Sequence, residues 1–294
     1  MECQICPRKC GANRETIQGF CGASNEIKLA RVSLHLWEEP CISGDQGSGT
    51  VFFTGCSLQC VFCQNYAVSQ QGFGEYITIE TLVDKFIMLE GLGAHNINLV
   101  TAGHFLPQII ETITRARKVG LKVPIVYNSS GYETVESLKK LQGLIDIYIP
   151  DLKYLSPTLS RKYSKAEDYF SIASQAILEM VRQCGPIILD QNGRASSGVI
   201  IRHLVLPGAV NDSIACMQWI KQNIPDGVYL SLMAQYLPLE GNVLPLELNR
   251  KLFQAEYDQV VAELFRLGFE DGYVQELDSA TTEYIPKFDL TGVK

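Results

Sequence analysis

The chain has 294 residues, 46% of them hydrophobic, enough for one large domain with at most a small appendage. Only 19% are charged, the net charge is −7 and no lysine/arginine run stands out, which argues against general nucleic-acid binding or a membrane-surface role. No apolar stretch approaches the roughly 20 residues that span a bilayer. The N-terminus does not read as a signal peptide, so a cytoplasmic enzyme is expected.

In chain order, residues 1–48 are rich in Cys, Gly, Arg and Asn, and only Ile27–Leu36 resembles a strand. This part reads as a small, cysteine-rich, metal-binding N-terminal segment. Over residues 49–272, short apolar runs then alternate with helical patterns. The runs are Thr50–Thr54, Asn96–Thr101, Val123–Asn128, Ile145–Pro150, Val199–Val205 and Val228–Met233. Near-continuous β-branched and aromatic composition suits parallel strands covered on both faces. Between them, Leu82, Val83, Phe86, Ile87 and Leu89 share one helical face, and Ile109, Ile110, Ile113 and Ala116 share another. Further helices are predicted from Tyr169 to Gly185 and over Leu246–Leu267. Asn192-Gly193 marks a hairpin turn beside the fifth strand. Six strands alternating with helices predict an α/β fold, either a partial (β/α)6 TIM-like barrel or an open doubly wound sheet. Residues 273–294 show no helical period and are expected to pack on the barrel as a tail.

Ten cysteines are many for such a chain, and seven of them form two clusters. Cys56, Cys60 and Cys63 give CxxxCxxC just after the first predicted barrel strand. Three thiolates on one loop can hold three corners of a [4Fe–4S] cluster and leave one iron open. That iron can chelate the amino and carboxylate groups of a methionine moiety, and one electron can then break the adjacent sulfonium C–S bond. A three-cysteine zinc site is the rival reading. The second cluster, Cys3, Cys6, Cys10 and Cys21, can form a closed zinc site or ligate an auxiliary [4Fe–4S] cluster. Cys184 and Cys216 read as buried small hydrophobes. Cys41, in Glu38-Glu39-Pro40-Cys41, has no assigned place.

The CxxxCxxC loop, with Phe62 before its last cysteine, resembles the radical S-adenosylmethionine (SAM) superfamily. Cys63-Gln64-Asn65, NINLVT, PDLKY, RHLVLPG and LMAQY make it similar to activating enzymes of glycyl-radical enzymes, such as pyruvate formate-lyase activating enzyme, in an uncharacterised activating-enzyme-like branch. The resemblance implies that Phe62 shields the cluster. It also implies that Thr101 and the carbonyls near Gly103 receive the cofactor's ammonium group, although Thr101-Ala102-Gly103-His104 departs from the usual GGE. Asn128 and Ser130 would meet the ribose hydroxyls. Lys153, in Asp151-Leu152-Lys153, would bind the cofactor carboxylate, Arg202 would reach the cofactor, and Val205 and Leu206 would pack on the adenine. His104, Asp151 and Gln235 are candidates for catalytic or substrate contacts.

The implied activity is reductive cleavage of SAM to a 5′-deoxyadenosyl radical that abstracts hydrogen, with electrons from a flavodoxin or ferredoxin. The substrate is a glycyl-radical enzyme or, alternatively, a small molecule or a peptide or protein side chain. A non-catalytic iron–sulfur or zinc protein is the reading from another class.

Overall fold

In a computed structural model, residues 2–238 and 244–294 are described. The elements run β1 (Ile27–His35), α1 (Pro40–Ser43), β2 (Ser48–Phe53), α2 (Tyr66–Ser69), β3 (Glu75–Ile77), α3 (Ile79–Gly91), β4 (Ile97–Val100), α4 (Leu106–Lys118), β5 (Ile125–Ser129), α5 (Val135–Lys140) and β6 (Ile147–Pro150). They continue with α6 (Pro157–Ser164), α7 (Tyr169–Cys184), β7 (Ile188–Leu189), β8 (Ala195–Leu204), α8 (Val210–Asn223), β9 (Tyr229–Met233), α9 (Gln254–Arg266) and β10 (Gly272–Val274).

All six apolar runs form strands. β2, β4, β5, β6, β8 and β9 pair in parallel in that order, and β10 adds a parallel strand beyond β9. β1 pairs antiparallel with β2, and β3 with β1. The hairpin appears where Asn192-Gly193 predicts it: β7 pairs antiparallel with β8, and Gly193 takes a left-handed φ of 74°. One expectation is corrected. Leu246–Leu267 is not a single helix, because Leu246–Leu248 is a 3-10 turn and α9 starts at Gln254. Glu256 fixes that start by accepting the Phe253 N–H at 3.0 Å while pairing with Arg250.

The helices bury the stripes read from the sequence. Leu82, Phe86 and Leu89 of α3 and Ile109, Ile113 and Ala116 of α4 are at most 1% exposed. Thr78 and Ser156 cap α3 and α6 through side-chain oxygens that accept backbone N–H groups.

The sheet curls into a partial barrel rather than lying open, since a single cavity touches residues of β2, β4, β5, β8, β9 and β10 and Asp151 just after β6. One end of the lumen is plugged by α1. Cys41 and Ile42 pack there against Val126, Ile147, Ile149, Ala195 and Ile200, the inward residues of three strands. That contact gives Cys41 its place. The residues after β10 run along β1, where Val32 N–H donates to the Thr291 carbonyl at 2.9 Å and Arg31 pairs with Asp289. They thereby cover backbone that an edge strand would otherwise leave open.

Two buried histidines set a pH dependence. His203 Nδ1–H donates to the Leu152 carbonyl at 2.6 Å and Nε2 accepts from Ser213, a neutral-ring arrangement. Burial pushes His203 from the ordinary 6.5 down to about 4, and His104 likewise. As pH falls below about 6.5, the unfolded chain takes up protons that the folded one refuses until about 4, so stability is lost across that window. Wild type should lose about 3 kcal/mol relative to His203→Asn between pH 7 and 4, read from denaturant unfolding. A difference that stays constant with pH contradicts the assignment.

Candidate active site

The strand β2 runs straight into the cysteine loop. Gly55 takes a φ of +95°, and a Cβ there would lie 2.5 Å from the Cys21 carbonyl, so only glycine fits. The Cys56 N–H donates to that same carbonyl at 3.0 Å. The loop then brings Cys56, Cys60 and Cys63 to one cavity of about 320 Å³ at the C-terminal ends of the parallel strands. A loop after a barrel strand is where this architecture places chemistry.

The sulfurs already have donors. Ser164 Oγ donates to Cys60 Sγ at 3.0 Å, Ser69 Oγ to Cys63 Sγ at 3.3 Å, and the Leu58 N–H to Cys56 Sγ at 3.4 Å. Burial and the two neighbouring thiols push Cys56 up to about 12. Such mutual repulsion is what a bound cation relieves. Among the described residues no three Cys, His, Asp or Glu side chains are already drawn to metal-ligating distances. The fit to a cluster therefore rests on three convergent thiols with donors aimed at their sulfurs. Phe62 stands behind them, 7% exposed, with Tyr154, Tyr163 and Tyr236 edge-on at 6.1–6.4 Å. This aromatic box dries one side of the loop.

Around the cavity lie Thr101, Asn128, Ser130, Asp151, Lys153, Arg202 and Gln235. Thr101 holds a left-handed φ of 57°, an uncommon conformation for a β-branched residue, at the end of β4. Lys153 Nζ donates to Asp151 Oδ2 at 2.5 Å. Burial alone would lower Lys153, but the Asp151 carboxylate holds it above the ordinary lysine value, so it stays cationic. Gln235 accepts from Gln64 at its carbonyl (3.0 Å) and from Gln275 at Oε1 (3.3 Å), which ties the cysteine loop to β9 and β10.

The structure places four other expected residues outside the cavity lining: Gly103, His104, Val205 and Leu206. His104 is 4% exposed, and its Nε2–H donates to the Thr54 carbonyl at 2.8 Å, a bond that holds the end of β2. A Cβ on Gly103 would lie 2.6 Å from the Glu133 carboxylate, so this glycine makes room for a buried acid. Val205 and Leu206 are buried in the core. Arg202 does line the cavity, but it is engaged with Glu38 and Glu39.

Sequence reasoning missed the α1 approach, where His35, Trp37, Glu38 and Glu39 enter the lumen, and also Ser231, Tyr273 and Gln275. Strand alternation carried a signal for Ser231, which lies two residues before Met233 on the inward side of β9. It also missed Arg8, which donates to the carbonyls of Ser57, Leu58 and Ser164 and stacks on Phe20. Arg8 thus clamps the N-terminal cysteine segment onto the cysteine loop. In that segment, a Cβ on Gly19 would lie 3.4 Å from Cys10 Sγ and 3.5 Å from Cys21 Sγ, so Gly19 leaves the space between these thiols clear.

The profile of the Radical SAM superfamily matches residues 50–229. The chain belongs to the radical SAM superfamily. It is 31% identical over 278 residues to the uncharacterized protein MJ0674 of Methanocaldococcus jannaschii, covering 90% of this chain and 75% of that one. Among solved structures it is similar to methylornithine synthase (PylB), with a TM-score of 0.50 and 18% identity over 71% of this chain. It is also similar to the FeFe-hydrogenase maturase HydG from Carboxydothermus hydrogenoformans, with a TM-score of 0.52 and 16% identity over 74% of this chain. The chain spans 59% and 50% of those two proteins, and at these identities they share the fold. This radical SAM enzyme is therefore an α/β protein built on the superfamily's partial barrel. No described helix is long and apolar enough to cross a membrane.

Proposed function

We propose that this radical SAM enzyme abstracts hydrogen from a small molecule, or from a side chain of a peptide or protein, held in the barrel lumen. The observation that carries this reading is the polar floor beneath the cysteine loop, where Glu38, Glu39 and Arg202 line the same cavity as Cys56, Cys60 and Cys63. Buried charges are costly and suit recognition of a polar group. A backbone glycine, the target in activation of a glycyl-radical enzyme, offers only its neutral peptide groups and no charge to match these residues. Activation is the second reading, supported by the likeness of the sequence motifs, and a glycyl doublet in the EPR spectrum of a partner enzyme would establish it.

Cys56, Cys60 and Cys63 would hold a [4Fe–4S] cluster, which would supply the one-electron chemistry that cleaves SAM for hydrogen abstraction. The chain's own residues orient and shield. Ser164 and Ser69 donate to the ligating sulfurs, Phe62 keeps water from the loop, and Lys153 offers a fixed cation to the cofactor carboxylate. Thr101, Asn128 and Ser130 present polar groups to the ammonium and ribose. A flavodoxin or ferredoxin is the proposed reductant. We assign Cys3, Cys6, Cys10 and Cys21 to a second site, holding zinc or an auxiliary [4Fe–4S] cluster, which would stabilise a segment too small for its own core.

Lys153→Ala tests the cofactor seat. SAM affinity of the iron-loaded protein should fall about tenfold or more, the worth of one charge-assisted hydrogen bond. Unchanged affinity refutes the role of Lys153.

A further inference from the structure

The lumen floor is built from inward positions on several elements. Asn98 of β4 lies two residues before cavity-lining Val100 on the same face, and Arg202 of β8 and Ser231 of β9 sit opposite each other in register. Into this ring the segment leading to α1 inserts Glu38 and Glu39. The side chains of Arg202, Glu38 and Glu39 are only 12%, 8% and 5% exposed. Arg202 clamps Glu39 through two hydrogen bonds, Nε to Oε1 at 2.8 Å and Nη2 to Oε2 at 2.5 Å, and its Nη2 also reaches Glu38 Oε2.

One guanidinium offsets one of these two carboxylates, so a negative charge is left over. The other charged groups facing the cavity do not supply the missing cation. Lys153 is paired with Asp151, and Arg31, on β1 but outside the cavity lining, is paired with Asp289. His35, which lines the same floor, is held below its ordinary value by burial and stays neutral at pH 7. A second observation points the same way. Asn98 Nδ2 donates to Glu38 Oε1 at 2.9 Å, while the Oδ1 of that fully buried amide accepts nothing. Around Glu38 the floor is thus short of donors as well as of positive charge. At the open edge of the cavity Trp37, 59% exposed, and Tyr284 pack edge-on at 4.8 Å and both line it, so aromatic surface borders the approach to Glu38.

We propose that the floor around Glu38 and Asn98 is the substrate subsite of this enzyme, and that it binds a protonated amino group. An ammonium supplies up to three N–H donors and the missing charge, whereas an alcohol supplies no charge and a carboxylate doubles the imbalance. The inference rests on the direct-chemistry reading above and names the substrate class: a compound or side chain carrying an alkylammonium group, set below the position of the cofactor. Glu38 binds and positions. It takes no proton from carbon.

The test is calorimetric titration of the full-length, iron-reconstituted chain with three probes of equal length, n-pentylamine, 1-pentanol and pentanoate. The subsite predicts at least tenfold tighter binding of the amine than of either competitor, and Glu38→Gln should cut that preference below threefold. A smaller preference in the wild-type protein overturns the proposal whether or not the variant folds, and so does a preference that survives in a folded Glu38→Gln protein. Release of 5′-deoxyadenosine by the same preparation reports on the cofactor separately. Intact cleavage without amine selectivity overturns this inference alone, while absent cleavage counts against the cofactor reading.

Discussion

Cys60→Ala is expected to yield a folded protein that has lost the cluster iron and, with it, all SAM cleavage above background. Cys60 is the middle cysteine of the loop, 7% exposed and tied to α6 through Ser164. Two thiolates on a short loop cannot hold a cubane against solvent, and the variant leaves Ser164 Oγ still bonded to the Tyr154 hydroxyl at 2.8 Å. Removal of one buried sulfur should cost only about 1 kcal/mol of stability, so loss of iron is separable from unfolding. Metal analysis with Mössbauer spectra measures this directly. The variant should lose the loop cluster and keep whatever metal the N-terminal thiols bind, and Cys3→Ser should do the reverse. Full iron retention in Cys60→Ala contradicts the ligand assignment.

The second large effect is on stability. Arg202→Leu strands two buried carboxylates, and breaking a buried pair from one side costs about 3–5 kcal/mol. For a chain of this size that is a fall of about 5–8 °C in melting temperature. Burial pushes Glu39 up, and the Arg202 guanidinium overrides it, holding the carboxyl below the ordinary carboxylate value. Without Arg202 the burial effect wins, Glu39 binds a proton more readily, and the deficit of the variant should shrink as pH falls through the carboxylate range. Adding Glu39→Gln should recover part of the loss at pH 7, because the stranded charge is gone. A melting temperature within about 2 °C of wild type would show that the cluster is solvated and contributes little.

Local chemistry explains what was legible in the sequence. Runs such as Asn96–Thr101 and Val199–Val205 declare strands because both faces are buried, and Asn192-Gly193 declares its turn because the turn needs a left-handed residue. The cysteine loop is legible because its three cysteines lie within eight consecutive residues. Tertiary placement hid the rest. The segment 36–47 has no period, and only the crossing of the lumen by α1 turns Glu38 and Glu39 into a floor. Tyr273 lies on a three-residue strand, too short for any pattern to register. Family position suggested His104 and Gly103, yet here one fastens β2 and the other accommodates Glu133, contacts that depend on residues about 50 and 30 positions away.

SAM cleavage at the loop of Cys56, Cys60 and Cys63 requires that the three thiols leave one metal coordination position open. Anaerobically reconstituted protein, reduced with dithionite in the presence of SAM, should release 5′-deoxyadenosine and methionine, and the Cys60→Ala protein should release neither. An intact cluster at that loop that yields no 5′-deoxyadenosine above a protein-free control contradicts the account.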